Sequence, residues 1–170
     1  SFRFNSKIGD LKTLDKVNEI LNNKDYKVYL EELSELEKER VFCNHTIEHF
    51  LDVSRIAYIR VLEEGLKYSK EVIYAIGLLH VIGRVLEYKE EIPHHEGSVI
   101  IAKDILKETS FTKEEKNEIL KGIENHRKDS VDELSRIIYE SDRLSRNGFS
   151  CKSEKDCYWS KEKKNFKIKY

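Results

Sequence analysis

Residues 78–84, Leu78-Leu79-His80-Val81-Ile82-Gly83-Arg84 (LLHVIGR), close a helical stretch that begins after Ser69 and is apolar on nearly every side. A helix that is hydrophobic all round belongs in the middle of a helical protein. The same periodicity extends outward. Leu11, Leu14, Val17 and Leu21 predict an amphipathic helix after Asp10, a suitable N-cap. A highly charged helix is expected over about 26–42, with Tyr29, Leu33 and Leu36 as its stripe. Another runs from His45 to Glu64 and stops at Gly65. The LLHVIGR helix is expected to end at Gly83, and residues 95–108 form the next helix beyond the Pro93 loop. Capping boxes at Thr112–Glu115 and Ser130–Glu133 open two more helices, one ending near His126 and one carrying Asp142.

Composition agrees with an all-α, single-domain helical bundle. The 170 residues are 39% hydrophobic and 37% charged, and a single proline with seven glycines leaves few turns for β architecture. Three segments are expected: N-terminal helices over 1–42 packing on the core, the helical core over 43–147, and a basic, cysteine-containing tail over 148–170. Net charge is −1, which argues against a field built for polyanions. No apolar run approaches the roughly 20 residues of a membrane span, and no secretory signal pattern opens the sequence. A cytoplasmic protein with no membrane partner is the expectation.

The chemistry concentrates in histidine. Of the six, His49 continues the inward ladder Val53, Ile56, Ala57 and Arg60, and His80 lies one turn beyond Ile76. Asp142 lies four residues after Ile138 on an apolar face, where a carboxylate is costly to bury unless paired or bound to a cation. An isolated histidine at a helix end is commonly a partner of the helix dipole. Two histidines and an aspartate directed inward from three helices are instead the ingredients of a metal centre in a bundle.

At this point the sequence resembles the HD superfamily of metal-dependent phosphohydrolases, which carries a first His, a His-Asp doublet at a helix end and a later Asp on a helical core. HFLDVSRIA (49–57) is similar to the first motif, LLHVIGR to the doublet segment, and YESDRLSR (139–146) to the last helix. HHEGSVIIAKDIL and IENHR resemble the segments bearing the additional histidines of two-metal members. The likeness covers about residues 42–147. It implies that His49, His80 and Asp142 ligate a first metal, while His95 and His126 serve a second metal or the substrate phosphate. His94 replaces His95 if the loop is shifted. His45 is expected beside the site rather than in it. The implied cofactor is a divalent transition metal (Fe, Mn, Zn, Co or Ni), one or two per chain. The implied partner is a small phosphorylated substrate, a nucleotide among the candidates.

The sequence departs from the family at Val81, which has no donor atom where the doublet's aspartate stands. Three outcomes are open: one metal on His49, His80 and Asp142, a weak site completed by substrate, or an empty one. Arg84, Arg127 and Lys103 are candidates for phosphate contact, with Arg146 behind them, and Glu96 is a candidate for orienting a histidine or water. A solvated or ion-paired surface role is the plain alternative for each. The competing function is a non-catalytic nucleotide- or metal-binding regulatory protein.

Cys43, Cys151 and Cys157 are an odd number, which argues against a disulfide framework. A structural zinc site made from them and His45 is the less favoured reading, and separate buried thiols the favoured one. The tail interleaves Lys with Trp159, Phe166 and Tyr170, but docking of its aromatics on the bundle is preferred to nucleic-acid binding.

Overall fold

A computed structural model describes residues 11–39, 44–124, 132–146 and 167–170. Among these residues the architecture is all-α, with eight helices and no strand. In chain order they are α1 (Asp15–Leu21), α2 (Lys24–Leu36), α3 (Ile47–Glu63), α4 (Lys70–Leu79), α5 (Arg84–Glu90), α6 (His94–Leu106), α7 (Lys113–Glu124) and α8 (Glu133–Leu144). No described helix is long and apolar enough to cross a membrane.

The fold is organised around α4. Val72, Ile73 and every residue from Ala75 to Leu79 are buried, and α1, α3 and α7 all pack against this helix. One hydrophobic cluster joins Val17 and Ile20 of α1, Tyr26 and Leu33 of α2, and Ile137 and Ile138 of α8. Burial of this apolar surface is the main driving force for the arrangement. Tyr26 adds a polar tie, donating its buried hydroxyl to the Leu78 carbonyl at 2.7 Å. Burial raises that phenol far above its ordinary range, so it stays a donor.

Local signals explain most boundaries. Thr46 caps α3 by accepting the His49 N–H, and Ser69 caps α4. Gly65, at φ 67°, ends α3 in the left-handed conformation that glycine adopts without strain. At the start of α7, Thr112 N–H donates to Glu115 and Glu115 N–H to the Thr112 hydroxyl, the reciprocal pattern of a capping box.

Four boundaries differ from the sequence reading. Helix α1 begins at Asp15; Asp10 lies outside the described residues. Helix α2 ends at Leu36, not near residue 42, because Glu37 turns inward to meet His45. Helix α4 ends at Leu79, and a tight turn over 80–83 launches the unforeseen α5. Asp132 caps α8, its carboxylate accepting the Ser135 N–H at 2.9 Å; Ser130 is outside the described residues.

The turn after α4 decides where His80 points. Gly83 has an ordinary φ of −66°, so its glycine is required by contact rather than by backbone conformation. A Cβ there would lie 2.0 Å from the Ser98 nitrogen and 2.2 Å from the His94 oxygen. That close approach seats the turn against the start of α6.

Candidate metal centre

Three helices bring His49, His80 and Asp142 together. His49 stands in the first turn of α3, His80 is the C-cap of α4, and Asp142 lies in the last turns of α8. Asp142 sits between the two rings. Its Oδ1 is 2.7 Å from His49 Nε2, and its Oδ2 is 3.4 Å from His80 Nε2. His80 is fully buried, whereas 29% of the Asp142 side chain is accessible, so the cluster opens to solvent at its aspartate edge.

Hydrogen bonds on the far side of each ring fix the tautomers. His80 Nδ1 is 2.8 Å from the Gly77 carbonyl, which can only accept. Nδ1 therefore carries a proton, and in the neutral ring the lone pair is at Nε2. His49 Nδ1 is 3.2 Å from Ser145 Oγ, and that hydroxyl donates to the Asp142 carbonyl at 2.6 Å. With its single proton committed, Ser145 accepts from His49 Nδ1, which leaves His49 Nε2 as the atom that faces Asp142.

The result is two imidazole Nε2 atoms facing one carboxylate. Burial is the largest influence on His49 and holds it below its ordinary pKa, against the pull of Asp142. Desolvation pushes the Asp142 carboxyl up, but the influence of the His49 and His80 rings beside it outweighs this and holds it well below the usual range. His49 Nε2 is buried and, although Asp142 is close, has no hydrogen-bond partner of acceptable geometry. Among the described residues, no three His, Cys, Asp or Glu side chains surround a common point at metal-ligand spacing. The donor types nevertheless fit a divalent transition metal: two imidazoles, a carboxylate and, at His49 Nε2, an orphaned buried nitrogen.

The other expected residues fall elsewhere. His95 lies half-buried at the start of α6 with its ring 5.8 Å from that of His94, and takes part in none of the His49–Asp142–His80 contacts. His94 presents Nδ1 to Glu87 at 3.1 Å; burial first, then Arg84, lowers it to about 4 against the effect of Glu87. Arg84 pairs with Glu87 at 3.3 Å while its Nε is buried without a partner. Arg146 reaches the Asn44 carbonyl and exerts its positive charge on His45 and His49. Glu96 and Lys103 are exposed on α6 and form no ion pair with the cluster. Val81 is 3% exposed and belongs to the hydrophobic core. His126, Arg127 and the three cysteines lie outside the described residues.

Sequence reasoning missed a second buried network beside the first. Glu37, 1% exposed, takes the His45 backbone N–H on Oε1 at 2.7 Å and faces His45 Nδ1 with Oε2 at 2.7 Å. Tyr88 donates its hydroxyl to the same Oε2 at 2.8 Å. Burial pushes Glu37 up, yet these donors bring it down to about 2. The available signal was an acidic residue at the apolar end of α2, eight residues before a histidine.

Residues 46–147 match the model of the HD domain. The chain is 44% identical over 157 residues to an uncharacterized protein of Clostridium beijerinckii, a match covering 92% of this chain and all of that one. Its fold is similar to the crystal structure of a predicted HD superfamily hydrolase from an uncultured Thermotogales bacterium. That likeness has a TM-score of 0.58 at 22% identity and covers 82% of this chain and 80% of the other.

Proposed function

The chain belongs to the HD domain family, and from that premise we propose that it is a metal-dependent phosphohydrolase acting on a small phosphorylated compound, a nucleotide among the candidates. The observation that carries this reading is the pair of imidazole Nε2 atoms that meet at the Asp142 carboxylate. His49, His80 and Asp142 would hold the metal. A bound divalent cation supplies Lewis acidity and a water of lowered pKa.

The chain's own residues account for the rest of the proposed mechanism. Ser145 and the Gly77 carbonyl hold the two rings by Nδ1 and turn Nε2 toward Asp142. Arg84 and Arg146 bring positive charge to this side of the bundle, where His45 feels both. They are the candidates to neutralise the substrate phosphate, Arg84 with a buried Nε available to it. His95 and His126 keep their proposed second-metal or phosphate roles on the resemblance, and Glu96, Lys103 and Arg127 theirs on their places beside motif residues.

Val81 supports a second reading, a non-catalytic protein that binds metal or nucleotide without turnover. One experiment separates the two. The purified chain is loaded with Mn, Fe, Co, Ni or Zn, its metal content measured, and hydrolysis followed on a panel of nucleotides, phosphomonoesters and phosphodiesters. The enzyme reading expects turnover that falls by about 100-fold or more on His80→Ala or Asp142→Ala, the scale of losing an electrostatic catalytic group. Metal-loaded protein that hydrolyses nothing on the panel favours the binding protein. A chain that takes up no metal removes the metal-dependent reading.

A further inference from the structure

We propose that Glu37 is a positioning residue of the candidate metal centre: its buried carboxylate braces the chain before His49 against the helix that follows His80, and so sets where both rings point. The inference rests on the metal-binding reading above. Glu37 is the C-cap of α2, and α2 packs against α5. Its carboxylate therefore stands where three parts of the chain meet: the end of α2, the entry to α3 and the face of α5.

One arm of the brace reaches the entry to α3. Glu37 Oε1 accepts the His45 backbone N–H at 2.7 Å, and Oε2 lies 2.7 Å from His45 Nδ1. A single carboxylate thus grips one residue at both backbone and ring. His45 directly precedes Thr46, the N-cap of α3. A side chain anchored at that position fixes the angle at which the chain enters a helix. His49 lies in the first turn of α3 with its N–H bound to Thr46, and its ring meets the His45 ring edge-on, centroids 6.0 Å apart. Holding His45 therefore holds His49 twice, through the backbone and through the ring.

The other arm reaches α5, where Tyr88 donates its hydroxyl to Glu37 Oε2 at 2.8 Å. Helix α5 begins at Arg84, four residues after His80, and the turn between them is bonded from the Ile82 N–H to Leu79 and from the Arg84 N–H to Val81. A connection so short carries the His80 turn along with any shift of α5. His49 and His80 belong to different helices, and a binding constellation must be held to within about 0.5 Å to work. Packed methyl groups would fill the space at Glu37 at lower cost than a carboxylate. Hydrogen bonds add direction as well as contact, since they fix distance and angle together.

The test titrates cobalt(II) ion alone into the full chain and follows its visible absorption, which reports the geometry of the ligands. Wild type is compared with Glu37→Gln, Tyr88→Phe and Tyr26→Phe. An amide accepts hydrogen bonds at one end only, so Glu37→Gln keeps the shape of the brace and breaks one side of it. This variant is expected to bind cobalt about 10-fold more weakly, the lower end of what losing a residue behind the metal ligands costs, with an altered spectrum. Tyr88→Phe is expected to move both readings in the same direction, and it carries the test if Glu37→Gln does not fold. Tyr26→Phe loses the buried bond to Leu78 instead and is expected to keep the wild-type affinity and spectrum. Wild-type affinity and spectrum in either Glu37→Gln or Tyr88→Phe overturn the inference and leave the metal-binding reading standing. Equal weakening in all three variants also overturns it, since affinity then follows stability alone. A wild-type chain that takes up no cobalt removes both.

Discussion

Gly83 and Ser98 lock the end of α4 to the start of α6. The Gly83 N–H donates to the Ser98 hydroxyl at 2.8 Å, and that hydroxyl donates onward to the His80 carbonyl at 3.1 Å. All three groups are buried. The missing side chain at 83 lets two backbones meet, and the small one at 98 satisfies both of the polar groups left there.

Gly83→Ala should therefore damage both the fold and the site. Its Cβ would fall 2.0 Å from a backbone nitrogen and 2.2 Å from a carbonyl oxygen, neither of which can rotate away. A loss of about 3 kcal/mol, the upper end of ordinary overpacking, is expected. A thermal melt should show a midpoint lower by roughly 6–12 °C at 2–4 °C per kcal/mol, and metal uptake should drop with it. A melt within 2 °C of wild type would show that the helices separate without cost.

Tyr26→Phe isolates a purely structural contact. It deletes the hydroxyl that meets the Leu78 carbonyl and leaves that carbonyl buried. The expected loss is about 1–2 kcal/mol in chemical denaturation, with metal affinity unchanged. A change in metal affinity would mean that the α2–α4 contact also steers His80.

Val81→Asp should separate stability from metal binding in opposite directions. At a position 3% exposed, an unpaired carboxylate costs several kcal/mol in the metal-free chain. Added divalent metal should recover that loss and raise the melting midpoint by more than it does for wild type, since a ligand stabilises by mass action on the folded state. A variant that is destabilised and insensitive to metal would place residue 81 away from the ion.

Acid should destabilise the metal-free chain earlier than carboxylate titration alone would. The ordinary histidine value is 6.5, and in the fold His94 is held at about 4, with His45 and His49 also lowered, burial being the largest cause for each. Between these values the unfolded chain binds more protons, so stability rises with pH. The contribution is complete above about 6.5 and is lost as pH falls through the folded-state values. Glu37, lowered from 4.5 to about 2, extends the same sign to lower pH. Urea midpoints measured with chelator present should be level above pH 7 and decline steadily below 6.5; a midpoint that rises on acidification contradicts this assignment.

The parts of the site that were legible in the sequence are those set by helical periodicity. His49 and Asp142 continue inward ladders, and His80 ends an apolar helix, so the sequence alone sets each on its face. The network at Glu37 was not legible, because its carboxylate leaves the helix at Leu36 and acts on a residue eight positions on, across a turn. Helix α5 was hidden by Gly83, which reads as a helix stop. Its φ of −66° shows that this glycine serves interhelical contact instead, and the chain continues into a further helix almost at once.

Positions 81 and 83 face mutation on unequal terms. Val81 lies among core side chains, so exchanging a carboxylate for methyl groups there gives up coordination chemistry and gains packing. Gly83 has no such exchange available, since any added atom meets backbone. Within one seven-residue segment, residue 81 meets side chains that other apolar groups could replace, whereas residue 83 meets backbone that nothing can. The close seating of this turn on α6 can therefore persist whichever apolar side chain stands at 81.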